Sequence, residues 1–258
     1  MVKVLSIVLL LLLLLIGGKR GFKSFLTIYL NLILIIMIVL LCGWGFNPFI
    51  VTLLISSIII LLVLFYLNGI NKKTICSLVS VMIVIIVFLL LTIIINNRIY
   101  IQGYAEENIE SIGYVVYDTG LDMMKMATSI VLIGLIGNVI DTSIAISSAL
   151  YEVHTNNPKL SSKELFKSGM NIGKDILGTT TNTLFFAYLG SCMTLFIYFQ
   201  DYKYSFETII NSKIFAIEFT RIMISGLASF VVIPITAIIT AMVCKREVNN
   251  GEKIKNNI

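Results

Sequence analysis

Residues 75–96, ICSLVSVMIVIIVFLLLTIIIN, run for 22 positions without a charged side chain. As an α-helix this stretch would be about 33 Å long, close to the ~30 Å hydrocarbon core of a bilayer. Its apolar residues do not alternate with polar ones, as they would over the ~10 residues of a barrel strand. A backbone crossing lipid must bond to itself, so the stretch reads as a membrane-spanning helix.

Working outward, six further apolar blocks lie at about 2–17, 25–43, 48–67, 127–150, 176–199 and 214–244. Of the 258 residues 58% are hydrophobic and 13% charged, about half the charged share of a soluble domain. The sequence therefore predicts an all-α integral membrane protein: one polytopic domain, residues 1–258, of about seven spans with a tail at 245–258. The net charge of +5 sits in the connections, so it reports orientation and not a nucleic-acid partner. Cys42, Cys76, Cys192 and Cys244 stand singly among apolar neighbours and suggest neither a disulfide framework nor a metal site.

Lysine and arginine alternate between sides. Lys19, Arg20 and Lys23 follow the first block; GWGFNP follows the second without a cation; Lys72 and Lys73 follow the third. The connection 97–126 is acidic and tyrosine-rich, whereas 151–175 carries Lys159, Lys163, Lys167 and Lys174, and the tail begins with Lys245 and Arg246. By the positive-inside rule the N-terminus lies outside and the C-terminus in the cytoplasm. The first block also fits a signal peptide, but the cations directly after it favour an uncleaved anchor. In the fifth connection Ser161 and Glu164 form a capping-box pattern, and Leu165, Phe166 and Met170 fit a short helix lying on the membrane surface.

Polar groups inside spans concentrate in the second half. Gly134, Asn138, Asp141, Ala145 and Ser148 fall on one face of the fifth block; Thr180, Thr183, Ala187, Gly190 and Thr194 repeat the spacing in the sixth, with Thr179 and Asn182 beside them. Such faces permit close helix packing, with threonine and asparagine as interhelical bonds. Packing does not call for a carboxylate, so Asp141, Asn138, Asn182, Thr179 and Thr183 are the candidate substrate or ion pathway. Glu218 and Arg221, three apart, form a candidate ion pair, either a gate or an interfacial pair. Pro234 is a candidate hinge or a packing kink.

The stretches GLIGNVIDTSIAISSAL (134–150), NPKLSSKELFKSGMNIGKDILGTTTNTLFFAYLG (157–190) and EFTRIMISGLASFVVIPITA (218–237) resemble the YibE/F-like family of bacterial multi-pass membrane proteins, as does GGKRGFKSF at 17–25. The resemblance implies a permease in the bacterial cell membrane, and it places Asp141, Asn182, Glu218 and Arg221 at the family's polar motif positions. Longer relatives carry a soluble segment near the N-terminus, so it also implies pairing with a longer-type chain or with itself.

Two functions follow as expectations: transport of a small solute or ion, or a non-transporting scaffold or assembly subunit. No HExxH, GxSxG or phosphate-cradling loop is present, so no enzyme, cofactor, metal or nucleic-acid partner is expected.

Overall fold

The structure, a computed structural model, describes residues 1–99 and 123–255; most of the acidic connection 97–126 lies outside them. Among the described residues the elements are helical: α1 (Val2–Gly43), α2 (Pro48–Leu61, continuing as a π-helical turn Leu62–Leu67), α3 (Lys72–Ile99), α4 (Met123–Asn156), α5 (Ser162–Ser191), α6 (Met193–Asp201), α7 (Phe206–Asn211) and α8 (Lys213–Lys255). Five are long and apolar enough to cross a membrane, or six when α5 and α6, bent by 43° at their junction, count as one broken span.

The first two expected spans lie in a single element, α1, interrupted at Gly18. Its φ of 53° and ψ of −130° are not helical, and glycine meets that conformation at little steric cost. The break is sharp. A Cβ placed on Gly21 would collide with the Leu13 backbone eight residues earlier, far closer than a straight helix would bring it.

The α3 stretch that decides the fold also shows how the bundle treats polar atoms. Thr74, Ser77, Ser80, Thr92 and Asn96 are buried, whereas the exposed positions within 73–96 are isoleucine, valine, leucine or methionine. That is a lipid-facing helix, apolar outside and polar within. Its buried side meets α4 and α8. Val81, Val84, Ile85 and Phe88 of α3 pack with Leu132, Leu135, Val139 and Ile140 of α4, and with Ile224, Ala228 and Val232 of α8. The hydroxyls form a ladder through this core. Ser77 and Ser147 share a hydrogen bond of 2.7 Å, Ser143 and Thr236 one of 3.1 Å, and Asn96 donates to Thr128 at 2.9 Å.

The fifth connection corrects one expectation. Ser161 caps the helix as the sequence suggests, with Glu164 Oε2 accepting from its backbone N–H at 2.8 Å. The helix it starts does not lie flat and end, but runs unbroken from Ser162 to Ser191. Leu165 is buried with Ala241 and Cys244, and Phe166 and Met170 pack on the bundle instead of facing lipid. Two glycines allow this approach: a Cβ on Gly169 would stand 2.9 Å from Ala237 Cβ, and one on Gly173 would strike Ile233 Cγ2. The expected tail at 245–258 likewise continues α8 as helix to Lys255.

Candidate functional site

Matching residues fix the relative register of the last three long helices. Gly134 of α4 lies beside Arg221 of α8 and Tyr188 of α5. Asn138 meets Ser225 and Ser229, and Ser143 meets Thr236. Helices α4 and α8 therefore run parallel, and α5 returns antiparallel between them, with Gly169 against Ala237 and Gly173 against Ile233. Below these contacts α5 is held tightly; beyond them it stands away from α4 and leaves a crevice.

A cavity of about 490 Å³ occupies the open end of this crevice. Ile130, Ile133 and Gly134 form the α4 wall, Leu184, Ala187 and Ser191 the α5 wall, and Arg221 and Tyr188 meet between them. The small face of α4 continues downward through Gly137, Asp141 and Ala145, all exposed at successive turns. On the facing wall Thr183, exposed, sits one turn from Ala187. With Gly134 opposite Tyr188 in antiparallel helices, Asp141 lies at the level of about residue 181. Counted along the two helices from that contact, Asp141 and Thr183 fall at similar depth on the faces that α4 and α5 turn to the crevice.

Asp141 is 18 residues from the start of α4 and 15 from its end, close to the middle of the helix. It makes no hydrogen bond or ion pair among the described residues. A carboxylate at that depth is tolerated where water reaches it or a partner covers it.

The other pathway candidates go elsewhere. Asn138 is buried, and its amide donates to Ser229 Oγ and, at 3.4 Å, to the Ser225 carbonyl. It bonds α4 to α8. Thr179 and Thr183 donate to the carbonyls of Ile176 and Thr179 at 2.9 and 3.0 Å, which satisfies their hydroxyl protons within α5. Asn182 is nine residues after Gly173, or about 180° around the helix, so it faces away from α8. The structure does not join it to Asp141.

Glu218 and Arg221 do form an ion pair, with side chains 24% and 22% exposed. Neither open to solvent nor sealed, the pair stands at the open end of the crevice, where Arg221 lines the cavity. The guanidinium carbon stands 5.6 Å from the Tyr188 ring centroid, a cation–π geometry, and Cys192 Sγ donates toward Glu218 Oε2 at 3.9 Å. Tyr188 and Cys192 were not marked by the sequence. The only signal was phase: Tyr188 follows Leu184 by four residues on the inward face of α5.

Breaking this pair on one side should cost more than removing it whole, because a half-buried charge is left alone. Glu218→Gln is expected to lower thermal stability in detergent by about 1–3 kcal/mol, reduced from the deeply buried case by the partial exposure. The double variant Glu218→Gln with Arg221→Met should recover part of that loss. A double variant no more stable than the single would show that the pair does not couple.

Pro234 is half-buried within α8, which continues through it as helix. No group of three or more His, Cys, Asp or Glu able to hold a metal occurs among the described residues.

No curated protein and no solved structure matches the chain. A family model does, over residues 5–246, which takes in α1 from Leu5 on, the crevice, the ion pair and α8 as far as Arg246. The chain belongs to the family of YibE/F-like proteins.

Proposed function

We propose that the protein is a permease for a small solute or ion, with the crevice between α4 and α5 as its path. The observation that carries this reading is Asp141: a carboxylate near the middle of a long apolar helix, exposed on a face of glycine and alanine. Evolution of a packing face has no use for that charge, whereas a cation or proton site does. Thr183 on the opposite wall supplies a hydroxyl oxygen, and the Glu218–Arg221–Tyr188 cluster stands at the open end of the crevice as its gate. Around this path we place seven crossings, with α1 counted as two at its Gly18 break, the N-terminus outside and the C-terminus in the cytoplasm of the bacterial cell. The chemistry is passage, with no covalent step.

A second reading, a non-transporting assembly subunit that pairs with a longer family member, draws support from the outward half of α5, which is exposed and polar. Reconstitution separates the two. Purified chain in liposomes is expected to carry a proton or cation flux above that of protein-free vesicles. Silence both alone and together with a longer-type chain would overturn transport.

A further inference from the structure

Helix α5 has two opposite faces, and only one is accounted for. Leu165, Gly169 and Gly173 are buried against α4 and α8. About 180° away runs a second line, Asn171, Asp175, Gly178, Asn182, Phe185 and Leu189, spaced 4, 3, 4, 3, 4 and exposed at each position, with Phe185 at the edge where α5 and α8 border a cavity. This is the inverse of α3, whose exposed positions within 73–96 are aliphatic or methionine. Lipid tails offer Asn182 no hydrogen bond. Unlike its threonine neighbours, it makes none to its own helix. Gly178, one turn away, has no atom within 4 Å of a Cβ placed on it, so another backbone has room to approach.

We propose that this line is the interface of a homodimer, covered by the same line of a second copy. Two copies share one membrane orientation, so their α5 helices pair in parallel about a twofold axis along the membrane normal, and each seam residue meets itself or its neighbours. The seam suits that arrangement. An Asn182 amide carries both a donor and an acceptor and can pair with its own copy, as a single asparagine in a heptad seam fixes register. Gly178 lets the backbones close. At the lysine-bearing end Lys174 flanks the seam beside Asp175, so each carboxylate gains a cation from the other copy where the two would otherwise repel. Phe185, 51% exposed, and Leu189, 37% exposed, supply apolar contact at the other end.

The proposal rests on the membrane reading and not on transport, so its test is scored without any flux. Single cysteines are introduced at 173, 177, 178, 182, 184 and 185 in the chain with its four native cysteines, which are buried and form no disulfide among the described residues. Membranes containing the protein are then oxidised. Gly178→Cys, Asn182→Cys and Phe185→Cys should give a cross-linked dimer, and Gly173→Cys, Leu177→Cys and Leu184→Cys should stay near the wild-type background. In parallel, energy transfer between labelled chains diluted in lipid should show Asn182→Leu dimerising about three- to twentyfold more weakly, and Asn182→Gln restoring much of the loss. Cross-linking without that phase, cross-linking only to a different protein, or a monomer at every lipid dilution would each overturn the homodimer.

Discussion

Replacing Asp141 by asparagine is expected to abolish flux in liposomes while leaving insertion, yield and thermal stability close to wild type. The substitution keeps the size of the side chain and removes its charge. Because the carboxylate makes no hydrogen bond or ion pair among the described residues and stands on an open face, the fold loses no partner. If anything the bundle gains, since a mid-membrane charge costs about 2.5–3.5 kcal/mol on insertion scales. A cation or proton path through the crevice loses its one anionic site beside Thr183. Asp141→Glu, which restores charge at a displaced position, should recover a fraction of the flux. Unchanged flux in the asparagine variant, with normal insertion, would remove Asp141 from the path; a drop in yield to match the drop in flux would assign it to structure.

The second large effect is steric. Gly173→Leu is expected to force α5 away from α8, because even a Cβ at that position strikes Ile233 Cγ2. Overpacking of this kind costs about 1–3 kcal/mol, roughly 2–12 °C in melting temperature for a chain of this size. Gly190→Ala, made where a Cβ would meet nothing within 4 Å, serves as the control and should change stability by no more than about 0.5 kcal/mol. Fluorescence-monitored melting in detergent reads both. A Gly173→Leu protein as stable as wild type would mean that α5 and α8 do not pack at these glycines.

What was legible in the sequence follows from what a sequence records. Long uncharged runs such as 75–96 report a solvent, and α3 is the helix they predict, to within a turn at either end. Periodicity reports which residues share a sector, but not where its edge falls. Asn138 and Asp141 are three apart and share a sector, yet the edge of the buried face passes between them, so one bonds α8 and the other faces the crevice. The capping box marked where α5 starts and not how far it runs, because that depends on Gly169 and Gly173 finding Ala237 and Ile233 some sixty residues away. Tyr188 and Cys192 were invisible for the same reason: their roles exist only once α8 has brought Glu218 and Arg221 alongside. The first apolar block closes in sequence at about residue 17, whereas the backbone shows α1 resuming at once after its break at Gly18.

The place of α8 bears on how the chain is made. Helix α8 leaves the ribosome after α3, α4 and α5 and packs against all three, so the centre of this bundle forms only once α8 has arrived. Until α8 arrives, Asn138 lacks Ser229, Ser143 lacks Thr236, and the glycines of α5 have nothing to close upon. A nascent protein halted before Lys213 therefore holds several inserted helices with their polar sides unmatched. Those unmatched sides find their partners only when α8 has inserted beside them.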